Sequence, residues 1–107
     1  MPEIQRRLAT ILATDCVGYS ALMVKNEVGA LKSVKACRKI IETTINEYGG
    51  RVFNTAGDSV IAEFNSPVDC VNAAIDFQTL LSDRNNNAKD ITKMNFRVGI
   101  HLDDVII

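Results

Sequence analysis

The stretch Arg51–Phe64, "RVFNTAGDSVIAEF", decides the fold. Two strand-like runs, "RVFN" and "SVIAEF", flank "TAGD", whose Gly57 and Asp58 are turn formers, so the stretch reads as a β-hairpin. Upstream, Gly49-Gly50 is a helix stop signal. It closes a helix with Leu31, Val34, Ile41, Ile45 and Tyr48 on one stripe. A shorter helical segment, "YSALMVKNE", comes before it. Downstream, "SPVD" supplies a Ser cap, Pro at the first helical position and an acid three residues after the cap. The helix it opens is expected to bury Val71, Ala74, Ile75 and Leu81 or positions next to them. "SDRNNNAKD" is polar and reads as a loop. "RRLATILATD" is a short apolar run ended by a turn signal, a buried strand. "MNFRVGIHL" alternates, with Met94, Phe96, Val98, Ile100 and Leu102 on one face and Asn95, Arg97 and His101 on the other.

The resulting order, β-α-β-β-α-β, predicts an α+β chain of the ferredoxin-like kind. Four antiparallel strands are expected in the order 4-1-3-2, with both helices on one face. In that arrangement the first strand ends at the edge where the third begins. Asp15 ends the first strand in "TDCVGYS" (Thr14–Ser20), and Asp58 immediately precedes the third. The two carboxylates should therefore face each other across a short gap. The fourth strand starts at the same edge, which brings Arg97 near them. His101 falls at the far end of its strand and is read as structural.

Taken alone, Asp15 serves equally as a helix cap, Asp58 as a turn aspartate and Arg97 as a solvated strand cation. Their convergence points to chemistry. Paired carboxylates either share a proton or hold hard divalent cations, Mg²⁺ or Mn²⁺, which keep waters and phosphates as further ligands. The turn after Asp15 offers backbone N–H groups to a phosphate, and Gly18 permits close approach. Ser20 adds a hydroxyl and Arg97 a bidentate cation. Metals, an N–H cradle and an arginine make a triphosphate site, suited to two-metal in-line attack at phosphorus. Neither a P-loop nor a strand-linked dinucleotide fingerprint is present.

Composition narrows the classes. A chain of 107 residues suits one domain, and 47% hydrophobic with 23% charged residues is ordinary for a globular chain. A net charge of -1 argues against binding nucleic acid or a membrane surface. No apolar run approaches the ~20 residues of a membrane span, and "MPEIQRR" does not open a signal peptide. Cys16, Cys37 and Cys70 form no paired motif and read as free thiols of a cytoplasmic protein. A single histidine excludes a histidine-rich metal site.

Three stretches, "RRLATILATDCVGYSALM", "YGGRVFNTAGDSVIAEFNSPVDCVNAAIDFQ" and "FRVGIHLDDVII", resemble the class III adenylate/guanylate cyclase catalytic domain, particularly its bacterial branch. The resemblance covers nearly the whole chain. It implies two divalent ions held by Asp15 and Asp58, with the Cys16 backbone carbonyl as a further ligand. It implies phosphate contacts from Val17, Gly18, Tyr19, Ser20 and Arg97. It also implies a homodimer with substrate sites at the interface, making cyclic AMP or cyclic GMP and pyrophosphate from ATP or GTP.

Two positions depart from the family pattern. Asn54 stands where lysine is usual, which makes it the candidate base-binding residue through its paired donor and acceptor. Asp103 stands where glycine is usual, at an expected turn. The family domain is longer, so residues 1–107 are expected to be its N-terminal portion, incomplete at the C-terminus. The second base-selecting residue and the transition-state Asn and Arg are expected beyond Ile107. The chain by itself is then expected to fold and to self-associate through its apolar end without turnover. Other segments could tether the parent to a membrane. The alternative is a non-catalytic cyclase-homology module that binds nucleotide or a partner chain. A diguanylate cyclase is disfavoured, since "TAGDS" stands in place of its signature hairpin.

Overall fold

Strand β1 (Arg6–Cys16) is paired antiparallel on both edges, with β3 (Ser59–Phe64) on one side and β4 (Phe96–Ile106) on the other. Strand β2 (Arg51–Ala56) pairs with β3, so the sheet runs β2-β3-β1-β4, the predicted order. Three helices complete the chain: α1 (Tyr19–Lys25), α2 (Glu27–Glu47) and α3 (Pro67–Asn87). The computed structural model describes residues 6–87 and 91–106. Residues 1–5, on which the signal-peptide reading rests, lie outside the described ones.

Alternation sets the two faces of the sheet. Leu12, Thr14 and Cys16 of β1 and Val60, Ala62 and Phe64 of β3 are buried under α2 and α3. The core adds Ile41, Ile45, Phe77 and Met94, each almost without exposure. Burial of one such side chain stabilises the fold by roughly 1.5–3 kcal/mol. The opposite face carries Ile11, Ala13, Asp15, Ile61 and Glu63, with no helix over it among the described residues.

Local signals set the helix ends. Asn26, in extended backbone between α1 and α2, caps α2 by accepting the Gly29 N–H at 3.0 Å. Gly49, at φ 80, ends that helix in the left-handed region that glycine tolerates best. Ser66 Oγ accepts the Asp69 N–H at 3.2 Å, and Pro67 opens α3.

Several expectations are corrected. The α2 stripe is Ala30, Ser33, Val34, Cys37, Ile41, Thr44 and Ile45, which leaves Leu31 exposed. In α3 the inward residues are Cys70, Ala73, Ala74, Phe77 and Leu81. Val71 and Ile75, each one step round from a buried neighbour (Cys70 and Ala74), face outward. "SDRNNNAKD" is helical as far as Asn87, and residues 88–90 lie outside the described ones. Asn85 ties this part of the helix to the chain ahead of β4: its amide donates to the Met94 carbonyl at 2.8 Å and accepts the Met94 N–H at 3.2 Å. Thr55 and Ala56 remain in β2, so the hairpin turn is Gly57-Asp58 alone. Strand β4 begins at Phe96, not Met94; both are buried, whereas Ile100 and Leu102, further along β4, are exposed. Asp103 is no turn residue: it pairs with Ala9 within the β1–β4 ladder. The side chains of residues 105–107, on which self-association was expected to rest, lie outside the described ones.

Candidate active site

The site forms where β1 ends. Asp15 is the penultimate residue of β1, on the helix-free face, and its register partner on β4 is Arg97. Arg97 Nε donates to Asp15 Oδ1 and Nη2 donates to Oδ2, both at 2.9 Å, a fork-to-fork pair. The Arg97 hydrogen bond holds the Asp15 carboxyl below its ordinary value, against burial, which pushes it up. Asp58 reaches the same corner from the hairpin turn, where its Oδ2 accepts the Cys16 backbone N–H at 2.7 Å. Topology and hydrogen bonding thus bring Asp15, Cys16, Asp58 and Arg97 together, as the sequence predicts. His101 lies four residues further along β4, opposite Ile11, away from this corner.

The turn that follows is narrower in its capacity than expected. The Val17 N–H donates to the Asn95 carbonyl at 2.8 Å, so it is not available to a phosphate. Gly18 adopts φ 65 at the N-cap of α1, with no side-chain cap. Tyr19 and Ser20 open α1, and first-turn N–H groups lack intrahelical acceptors. Gly18, Tyr19 and Ser20 remain as the donors of that turn.

Asn54 is exposed on β2, opposite Ile61, which is itself opposite Ala13. It shares the helix-free face with Asp15. Two strand spacings separate Asn54 from Ala13, roughly 10 Å. A depression of about 360 Å³ lies on the β1–β4 side, lined by Ala13, Thr14, Asp15, Arg97, Val98 and Gly99.

Other residues hold the frame, and sequence reading passed over them. Arg38 of α2 donates from Nη1 to the Gly57 carbonyl at 3.2 Å, bracing the turn that carries Asp58. Gln78 of α3 donates to the Phe96 carbonyl at 2.8 Å, next to Arg97. Neither has a local pattern, because each bond joins residues that only the tertiary fold brings together. The cysteines are free and buried, and burial pushes the Cys16 thiol up to about 11, which makes it inert.

The donor set suits a hard cation: two carboxylates and a backbone carbonyl meet in one corner. No group of three or more His, Cys, Asp or Glu side chains is clustered for metal among the described residues. Protein carboxylates would therefore fill only part of a coordination shell.

Comparison with known proteins bears on the chain's family and fold. "Putative adenylate cyclase 3" of Rhizobium meliloti (strain 1021) is 36% identical over 106 residues, covering 98% of this chain. An adenylate/guanylate cyclase/hydrolase from Silicibacter pomeroyi is 31% identical over 98% of this chain, with a TM-score of 0.82. The chain resembles the class III adenylyl/guanylyl cyclase catalytic domain and shares its fold. A bacterial light-regulated adenylyl cyclase, 22% identical over 99% of this chain, superposes with a TM-score of 0.87 and supports the cyclase fold alone. No protein-family model matches the chain. The chain spans 18% of the length of the Rhizobium protein, 62% of the Silicibacter chain and 33% of the light-regulated cyclase. Among the described residues, no helix is long and apolar enough to cross a membrane.

Proposed function

We propose that this chain is the metal- and phosphate-binding portion of a nucleotidyl cyclase that converts ATP to cyclic AMP and pyrophosphate, with GTP as the alternative substrate. The ribose 3′-hydroxyl attacks the α-phosphorus and loses its proton. The new O3′–P bond replaces the bond to the β-phosphate oxygen, and pyrophosphate leaves. The observation that carries this reading is the meeting of Asp15 and Asp58 in one corner, tied by the Cys16 N–H to Asp58 bond.

Asp15, Asp58 and the Cys16 carbonyl would hold two divalent ions, Mg²⁺ or Mn²⁺. When bound, such ions polarise the phosphoryl oxygens and favour the ionised hydroxyl. Gly18, Tyr19 and Ser20 donate to the phosphates, and Arg97 compensates their charge. Asn54 meets the base edge. The protein works as a homodimer with its substrate sites at the interface. The residues present bind and orient; they do not by themselves complete catalysis. The 107 residues alone, incubated with Mn²⁺-ATP, are expected to form no cyclic AMP above a double-aspartate control.

The test of the reading is Asp15→Asn in the full-length protein. Cyclase activity should be abolished while the circular dichroism spectrum is retained. Near-normal turnover in Mn²⁺ by that variant would remove Asp15 from the metal site and sink the proposal.

A further inference from the structure

Both oxygens of Asp15 are already taken. One guanidinium, that of Arg97, donates to each of them at 2.9 Å. Asp58 is different, since the Cys16 N–H engages its Oδ2 alone. A divalent cation can therefore approach Asp58 beside an existing bond, but it must dislodge a cation to reach Asp15. Arg97 is free to be dislodged. Its side chain is 70% exposed, and the Asp15 side chain 41%. The depression beside them has room for the displaced guanidinium. Gly99, two residues along β4, adds no bulk there: even a Cβ on it would meet nothing closer than the Ala13 carbonyl at 4.0 Å.

We propose that Arg97 is an internal competitor of the divalent cation at Asp15, released when a polyphosphate takes over its guanidinium. The inference rests on the reading of Asp15 as a metal ligand. A planar guanidinium pairs with a carboxylate or a phosphate through the same two parallel N–H bonds, so it can pass from one to the other. A polyphosphate carries more charge than one carboxylate and is the stronger attractor. Free cation then binds poorly without nucleotide, and polyphosphate binding opens Asp15 to it. By linkage the cation must in turn favour the release of Arg97 and its binding to phosphate.

Two explanations of any effect must be separated. Arg97 could oppose a cation simply as a nearby charge, or by holding the two oxygens. Arg97→Lys keeps the charge and loses the fork, whereas Arg97→Gln loses both. The measurement is Mn²⁺ binding to the full-length protein without nucleotide, by calorimetry or by loss of the free Mn²⁺ resonance signal, with Asp15→Asn as baseline. Arg97→Gln is expected to bind Mn²⁺ about fivefold more tightly than wild type. Arg97→Lys should also bind more tightly than wild type, by a smaller factor. Equal affinity of wild type and Arg97→Lys would overturn the competition. So would weaker binding by Arg97→Gln. If Asp15→Asn binds Mn²⁺ as wild type does, the ligand reading itself fails, and the competition with it.

Discussion

The backbone N–H of Cys16 donates to Asp58 Oδ2 at 2.7 Å, joining residues 42 apart in the chain. Cys16 directly follows Asp15, so this bond fixes the hairpin turn to the end of β1 and sets the spacing of the two carboxylates. Asp58 thus has a structural and a proposed chemical role, and two substitutions separate them.

Asp58→Asn retains an oxygen that can accept the Cys16 N–H. It should leave the melting temperature nearly unchanged while lowering cyclase activity at least a hundredfold. Asp58→Ala loses both roles and should also cost about 1–3 kcal/mol of stability. Denaturant titration of the two variants beside wild type checks this. Equal destabilisation by both would mean that the carboxylate charge, not the accepted hydrogen bond, holds the turn.

Asn54 can be tested through the base. It stands on the same face as Asp15, two strands away from β1. Asn54→Lys should change the ratio of kcat/KM for ATP to that for GTP by about tenfold, the worth of one paired hydrogen bond to a base edge. An unchanged ratio would place the base elsewhere.

Acid stability has a specific carrier in Glu63 on β3. Arg51 of β2 donates to its Oε1 at 2.9 Å, and Arg7 of β1 donates to its Oε2 at 3.1 Å, so one carboxylate links three strands. The Arg51 hydrogen bond holds Glu63 below its ordinary value of 4.5, outweighing burial, and the charges of both arginines add to it. The unfolded chain therefore binds the extra proton first. The stability Glu63 contributes is fully present above pH 4.5 and is lost as pH falls through its lowered folded value. Glu63→Gln should flatten that acid limb in urea titrations between about pH 5 and pH 3. An unaltered limb would assign acid sensitivity to other carboxylates.

The two adjacent glycines should respond differently to an added side chain. A Cβ on Gly50 would lie 2.5 Å from the Phe64 ring, whereas one on Gly49 would meet nothing within 4 Å. Gly50→Ala is expected to cost about 1–3 kcal/mol by overpacking, and Phe64→Leu should restore part of it. Gly49→Asn should be milder, since asparagine tolerates the left-handed region. Thermal melts of the three variants decide the point.

What the sequence revealed followed from range. Strand order came from alternation and turn residues, which act within a few positions, and it carried Asp15, Asp58 and Arg97 to one edge. The caps at Asn26 and Ser66 and the stop at Gly49 are equally local, although Asn26 itself was not singled out. The misreadings needed distance. Nothing near Asn85 reveals that its amide grips Met94. Nothing near Val71 or Ile75 shows that Cys70, Ala73, Ala74, Phe77 and Leu81 take the inner face of α3 instead. Nothing near Val17 shows that the Asn95 carbonyl takes its N–H.

The strand order also distributes durability across the site. Asp15 belongs to β1 and Asp58 leads into β3, the two inner strands, each laddered on both sides. Asn54 and Arg97 belong to β2 and β4, the two outer strands, each laddered on one side only. Outer strands breathe first, so their amides should exchange with solvent ahead of those of β1 and β3. The groups proposed to contact the nucleotide then sit on the parts of the sheet that open and repack most readily. The pair that would hold metal sits on the part that opens last. Substrate choice can drift by changes at the margins while the inner pair stays in place.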